Sequence, residues 1–364
     1  MTDIPTKTDA NLGPWPNDDK IVRLRERGPN RIHLLSTDAS RELVIGTLSE
    51  CDVRLVDPER LISRRHAVLK RDGERWVICD RSKNGLTVDG VACTEQVLLA
   101  GAEIEIGRTR LVAESHRLIA LRSYLARLLG WATTEADRVD EAVRAVREAS
   151  IGRNVLVLCG RHELVALAAG LHDRVLGADR PFVVCDPRRQ PGEASARAPE
   201  NFEQGVPALA AAVGGSLCVR ARRPPRDFKQ VLAALSTARV QLIMCAEKPA
   251  ECKPYAVKPV VVPSLSDRAT EEVDHVILEY FNDAMASLPT ADRIGFTLAD
   301  RAWVRTYEVS SLPVIEKATR RLVALRQEGG NLPRASARLG ITRAALSKWI
   351  GRRQLPMLTS DPAS

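Results

Sequence analysis

Ser63-Arg64-Arg65-His66-Ala67-Val68-Leu69-Lys70 is the stretch on which the reading of this chain turns. A hydroxyl, two guanidiniums and an imidazole stand immediately before a short apolar run of β character. Working outward, Ile45-Gly46 lies upstream, and Asp80, Ser82, Asn84-Gly85 and Val88-Asp89-Gly90 lie downstream. Further β-type runs separate these groups, at Glu42 to Ile45, Trp76 to Cys79 and Ile104 to Ile106. Strands of four to six residues rich in Val, Ile and Leu, punctuated by Gly, Asp, Pro and Ser, predict an all-β sandwich. Asn84-Gly85 is a turn signal, because both residues tolerate positive φ. Binding residues gather on the loops at one end of such a sandwich. A serine hydroxyl beside a planar cationic fork suits a phosphate dianion.

This set resembles the forkhead-associated (FHA) domain over about 70 residues, a β-sandwich family that binds phosphothreonine peptides. The resemblance implies that Ser63 and Arg64 hold phosphate, with Arg65 beside them. It implies that Asn84 and Gly85 meet the peptide, Asn84 holding its backbone, and that His66 braces the loop from inside. The chain departs from the family at Gly46-Thr47, where an arginine is expected after the glycine. Arg65 and Arg81 are the cations placed to compensate. Phosphate-independent protein binding stays open as the alternative at this point.

The 364 residues suffice for two or three domains. No apolar run reaches the roughly eighteen residues a membrane span needs, and the polar stretch from Met1 to Lys20 has no hydrophobic signal core. Eight cysteines are scattered singly, without a C-x-x-C pair. They read as small buried hydrophobes in a reducing cytoplasm, with no metal site. The net charge of +8 is concentrated at one end: from Arg301 to Ser364 twelve Lys and Arg stand against four Asp and Glu. Such a footprint points to a polyanion.

There the periodicity is helical. Ile315, Ala318, Leu322 and Leu325 share one face, Pro313 opens that helix and Gly329-Gly330 closes it. A second helix is expected from Leu332 to Leu339. After the turn Gly340-Ile341-Thr342, with Thr342 as N-cap, a last helix is expected from Arg343 to Arg353, with Leu346 and Ile350 inward. This is helix-turn-helix spacing. Residues 331 to 355 resemble the Fis-type helix-turn-helix that ends many bacterial enhancer-binding activators. The resemblance implies that Thr342, Arg343, Ala345 and Lys348 face double-stranded DNA, with Arg343 reading guanine. Ser347, Arg352 and Arg353 are expected on phosphates or the groove wall. Trp349 departs from the usual polar choice and is expected against a neighbouring helix. The family's habit of binding inverted half-sites implies a homodimer.

Between these ends, residues 150 to 290 alternate strand and helix patterns. Asn154 to Cys159, Phe182 to Cys185, Ser216 to Val219 and Val240 to Cys245 are continuous apolar runs, which predict a parallel sheet covered on both faces. Helices are expected from Arg117 to Ser150, and Arg188 to Pro207, rich in Pro, Ala and Gly, is expected as a mobile loop. The order of modules resembles activators of the nitrogen-type sigma factor, whose centre is an AAA+ ATPase. Val155 to Gly160 with Glu163 to Ala166 is similar to the strand and helix around the nucleotide loop. Gly214 to Val219 is similar to the strand bearing the metal-binding carboxylates, and Pro263-x-Leu265-x-x-Arg268 to the start of the lid.

The catalytic parts are absent. A nucleotide loop interposes about seven residues, with glycines and a lysine, and only Gly160-Arg161-His162 stands here. Arg220-Ala221 occupies the place of the two acidic residues, and the loop that engages the sigma factor is missing. No ATPase activity, catalytic residue, cofactor or metal is therefore expected. Arg161, Arg188, Arg189, Arg220, Arg222 and Arg223 are either an anion pocket at the strand ends or a solvated basic rim.

The chain thus divides into a disordered segment 1–20, an FHA sandwich 21–115, a helical connector 116–150, a degenerate AAA+-like α/β domain 151–300 and an all-α helix-turn-helix 301–364. The functional expectation is a cytoplasmic, sequence-specific DNA-binding transcriptional regulator in signal transduction. It would sense a phosphothreonine-bearing partner, such as a Ser/Thr kinase or its substrate, without contacting membrane. The alternative is a non-catalytic adaptor whose terminal helices bind protein.

Overall fold

The computed structural model describes residues 20–38, 40–131, 136–152, 154–161, 163–191, 199–255, 257–288, 296–351, 353 and 355–356. The segment 1–19, and with it most of the expected disordered stretch, lies outside them.

Eleven short strands form the first layer pair. β1 (Ile21–Glu26), β2 (Ile32–Leu34), β7 (Leu86–Val88), β8 (Val91–Cys93), β10 (Glu103–Ile106) and β11 (Thr109–Ser115) make one sheet, in the order β2-β1-β11-β10-β7-β8. β3 (Leu43–Gly46), β4 (Val53–Arg54), β5 (Ala67–Asp72), β6 (Arg75–Asp80) and β9 (Glu95–Val97) make the other, in the order β4-β3-β5-β6-β9. Alternation builds the core: Ile104 and Ile106 of β10 are fully buried, while Glu103 and Glu105 point away. Leu24, Ile45, Leu69, Trp76, Ile78 and Leu111 fill the space between the sheets. The Trp76 indole donates to the Ile21 carbonyl at 3.3 Å, so its one polar atom is satisfied inside.

β11 runs straight into α1 (His116–Leu129), and the Ser115 hydroxyl caps it by accepting from the Leu118 amide at 3.1 Å. α2 (Ala136–Ile151) follows. The described part of 116–150 is therefore mostly helical, with residues 132–135 outside it, and these helices are more than a connector. Leu118, Leu121, Leu125 and Leu128 of α1 share one apolar core with Leu156 and Leu158 of the next strand.

That strand, β12 (Val155–Cys159), begins a second sheet with β13 (Phe182–Cys185), β14 (Glu200–Phe202), β15 (Ser216–Arg220), β16 (Gln241–Ala246) and β17 (Val260–Val261). All its pairings are parallel, in the order β14-β13-β15-β16-β12-β17. Leu156 and Leu158 face one core, whereas Val157 and Cys159 face another, as a doubly covered sheet requires. α3 (Leu164–Val175) covers the first face, and α4 (Gly205–Ala211) and α5 (Phe228–Ala234) the second. The expected loop from 188 to 207 is corrected in part. β14 extends the sheet edge alongside β13, and Gly205 opens α4, whose first two amides are held by the Asp227 carboxylate at 2.8 Å each.

α6 (Thr270–Ser287), α7 (Leu298–Tyr307), α8 (Leu312–Gln327), α9 (Leu332–Arg338) and α10 (Arg343–Ile350) complete the chain. Ile315, Ala318, Leu322 and Leu325 of α8 are all buried, in the same core as Val276, Ile277 and Tyr280 of α6. The terminal helices thus share an unbroken core with the α/β layer. α10 ends at Ile350, three residues before the expected Arg353. Its inward pair is Leu346 and Trp349, and Ile350 is half-buried beside them. Trp349 meets Trp303 of α7 edge-on, with centroids 5.9 Å apart.

The sandwich is locked to the helices by charge. Arg25, 3% exposed, donates to Glu114 at 2.7 Å and to Asp140 of α2 at 2.8 Å. Arg122 of α1 reaches the same Asp140 at 3.1 Å, and Arg144 of α2 reaches back to Glu103 of β10 at 2.5 Å. Removing one partner of a buried pair is costly because the other charge is stranded. Glu114→Ala should lower stability by about 3 kcal/mol, the low end of the buried-pair range, since Asp140 still answers Arg25. Urea unfolding of the full chain measures it, and a loss under about 1 kcal/mol would mean the network is only a surface ornament.

Candidate functional site

Three loops meet at one end of the sandwich: the turn after β3, the segment before β5 and the turn between β6 and β7. A ladder of hydrogen bonds ties them together. The His66 amide donates to the Ile45 carbonyl at 2.7 Å, and the Arg81 amide to the His66 carbonyl at 2.8 Å. The Arg64 carbonyl accepts from the amides of Thr47 at 3.1 Å and Leu48 at 3.3 Å, and from the Cys51 thiol at 3.3 Å. This close approach demands a glycine at 46: a Cβ there would stand 2.1 Å from the Arg64 oxygen.

The imidazole of His66 is fully buried within the ladder. Its Nδ1 accepts from the Ser63 amide at 3.0 Å, which leaves the proton on Nε2 to donate to the Gly85 carbonyl at 3.1 Å. The ring therefore bridges two loops, the bracing that the resemblance implies. Ser82 and Asp80 extend the bracing: the Gly85 amide donates to the Ser82 hydroxyl at 2.8 Å, and the Ser82 amide to Asp80 at 2.9 Å.

On this frame Ser63 is half-buried, and Arg64, Arg65, Arg81 and Asn84 are exposed. Among the described residues no acidic side chain pairs with Arg64, Arg65 or Arg81. Three arginines thus stand on one loop cluster without a salt bridge to an acid among the described residues. Two expected contacts take a different form. Gly85, at φ +78°, has its amide held by Ser82 and its carbonyl by His66, so it builds the site and offers no free N–H. Asn84 uses one amide proton on the Leu61 carbonyl at 2.7 Å, bracing the segment that carries Ser63. Thr47 stands where the family pattern expects arginine, and its amide is already engaged by Arg64.

Asp57 was not anticipated. Its carboxylate accepts from the Ile62 amide at 2.5 Å and the Glu59 amide at 3.2 Å, shaping the turn ahead of Ser63. Asp57-Pro58 is the only sequence signal for it, a turn initiator with a side chain that caps its own loop.

At the other end of the molecule, Thr342 caps α10 by accepting from the Ala345 amide at 3.2 Å. Arg343, Ser347 and Lys348 lie exposed on one face of α10, and Ala345 is half-buried. Ala345 lines a groove of about 830 Å³ that Lys317, Arg320 and Arg321 of α8 border on the far side. Arg353 departs from expectation. Its guanidinium is engaged by Glu308 and donates to the Trp349 carbonyl at 3.1 Å, so it clamps the end of α10 and is not free for phosphate. Arg352 lies outside the described residues, as does His162.

Arg161, Arg220, Arg222 and Arg223 come together at the carboxyl ends of β12, β15 and β16. Arg188 and Arg189 are exposed beyond β13 and do not line that crevice. Burial pushes the thiols of Cys159 to about 11 and of Cys185 to about 12, so both stay protonated and unreactive. Among the described residues no three His, Cys, Asp or Glu side chains form a metal-binding group, and no helix is long and apolar enough to cross a membrane.

Residues 43–107 match the sequence model of the FHA domain family. Among solved structures, an FHA domain studied for phosphothreonine-dependent interactions is 28% identical, covering 26% of this chain and 95% of that one at a TM-score of 0.24. Mycobacterium tuberculosis EmbR, in complex with a low-affinity phosphopeptide, is 28% identical over 26% of this chain and 24% of its own, at 0.24. The N-terminal FHA domain of S. cerevisiae Rad53p, in complex with a phosphothreonine peptide, is 22% identical over 26% and 94%, at 0.25. None of the curated proteins compared with the chain matches it.

Because Gly46 has no room for a side chain, Gly46→Ala should force the Arg64 carbonyl aside at a cost of about 3 kcal/mol. Hydrogen exchange at the Thr47, Leu48 and His66 amides should quicken along with it. Unchanged protection at all three would mean the ladder does not depend on that approach.

Proposed function

We propose that the FHA domain at residues 43–107 serves as the phosphothreonine receptor of a DNA-binding transcriptional regulator. What carries this reading is the loop cluster itself: a rigid hydrogen-bonded frame that presents Ser63 among three arginines without acidic partners. Charge-assisted hydrogen bonds to a dianion are strong in such a setting, and a planar fork suits the phosphate. Arg65 and Arg81 would supply the positive charge that Thr47 does not. The partner is a phosphothreonine-bearing protein, such as a Ser/Thr kinase or its substrate, and the setting is cytoplasmic.

The regulator half of the proposal rests on α9 and α10. Two short helices joined at Gly340, with a capped second helix that exposes Arg343, Ser347 and Lys348 together, support a Fis-type reader docked in a major groove. A homodimer on inverted half-sites would meet through some surface other than the apolar face of α8, which α6 covers within the same chain. The central layer acts as a scaffold without ATPase activity. Arg220 at the end of β15 stands where a metal-binding acid is needed, and its own neighbour is the buried Asp186, 3.4 Å away.

Calorimetry with matched phosphorylated and unphosphorylated threonine peptides tests the receptor. Arg64→Ala should weaken the phosphorylated peptide by about 2 kcal/mol and leave the other unchanged. Equal affinity for the two peptides would remove the phospho-specific claim. For DNA, Arg343→Ala should cost about 1–3 kcal/mol on a selected site, and affinity should fall steeply as salt rises. A uniform change on all sequences would deny Arg343 its base-reading role, and binding insensitive to salt would favour protein as the partner of these helices.

A further inference from the structure

Beyond the paired ends of two neighbouring strands, the connections part to opposite faces of the parallel sheet. β12 leaves through α3, which packs on the face shared with α1 and α6, whereas its neighbour β16 leaves through residues 249–255, whose Cys252 and Tyr255 pack on the opposite face. Where adjacent strands diverge in this way, their carboxyl ends leave a crevice, and α/β sheets bind ligands there. Here the crevice measures about 490 Å³, within the range of small-molecule sites.

Its lining is cationic in an uneven way. Arg222 is answered by Glu247 and by Glu251 at 3.1 Å. The buried Nε of Arg220 faces the Asp186 carboxylate at 3.4 Å without hydrogen-bond geometry, so Arg220 is only partly answered. Arg161, Arg223 and Lys248 have no acidic partner among the described residues, and all three are exposed toward solvent. Leu164, the first residue of α3, also lines the crevice. Glu163 precedes it without a side-chain cap, so this positive helix end adds its uncapped amides to the same field. The one carboxylate in the lining, Glu247, is already committed to Arg222, so the crevice offers no ligand set for a divalent metal.

We infer that this crevice binds a compact phosphorylated small molecule with two or more adjacent negative charges, and takes it without a divalent cation. Arg161 and Arg223 hold the phosphoryl oxygens, and the half-exposed guanidinium of Arg220 adds positive charge beside them. A chelated magnesium ion would cancel the ligand charge that these groups recognise, so metal should weaken binding.

The test uses the full chain and inorganic pyrophosphate as the probe, at about 0.15 M salt so that diffuse surface attraction is screened. Calorimetry with EDTA present should show saturable binding with a Kd below about 1 mM, and excess magnesium should weaken it. The Arg161→Ala/Arg223→Ala double variant should keep the unliganded melting temperature, because both side chains are exposed, and should lose affinity at least about tenfold. Arg188→Ala/Arg189→Ala, altered outside the crevice, should bind like the parent. No saturable binding by the parent protein, equal losses in the two double variants, a requirement for magnesium, or equal affinity for citrate would each overturn the assignment.

Discussion

A guanidinium sealed from water has to be answered by carboxylate, and Arg25 takes its answers from two modules at once. Glu114 belongs to the same sandwich, while Asp140 belongs to the helical layer. The orientation of the β-sandwich follows from that double demand. The same device recurs along the chain. Arg127, also buried, pairs with Asp283 and Glu279 of α6 while stacking on Tyr280. Arg268 makes its joint differently, donating to backbone carbonyls of α1, that of Arg127 at 2.8 Å. Arg326 of α8 grips Asp300 of α7, which is itself fully buried and closes the capping box with Thr297. Each joint carries an arginine whose planar fork ties its own segment to another.

Internal pairing therefore accounts for much of the arginine, and the unpaired remainder stands out by location. Some of the guanidiniums without an acidic partner among the described residues stand together, at the loop cluster around Ser63 and at the carboxyl ends of β12, β15 and β16. The exposed face of the last helix carries a third cationic set. A net charge of +8 says little about function until the unpaired cations are located. Three of the resulting cationic surfaces stand on one connected framework, each with its own geometry.

Local chemistry was legible in the sequence, and distant pairing was not. The FHA strands could be read because turn residues and apolar alternation fix them within a few positions. The central strands could be read because continuous runs such as Leu156 to Cys159 admit few other structures. His66 as a brace was implied by resemblance, and the geometry supplies the reason in two hydrogen bonds of opposite sense. β14 stayed hidden in a Pro-rich and Ala-rich stretch because its pairing with β13 is a tertiary fact. The coupling of Arg25 to Asp140 spans 115 residues, which no local pattern encodes. The internal partners of Gly85 and Arg353 were hidden for a related reason: residue type shows what a group is able to bind, and only the fold shows what already occupies it.

The burial of α8 has a practical corollary. Its stripe of Ile315, Ala318, Leu322 and Leu325 is sealed by helix α6 of the same polypeptide. A C-terminal fragment excised without α6 would leave that stripe bare and find a substitute cover in its own copies. Self-association of such a fragment would report a vacated intramolecular seat, and its stoichiometry would say nothing about the assembly of the intact protein.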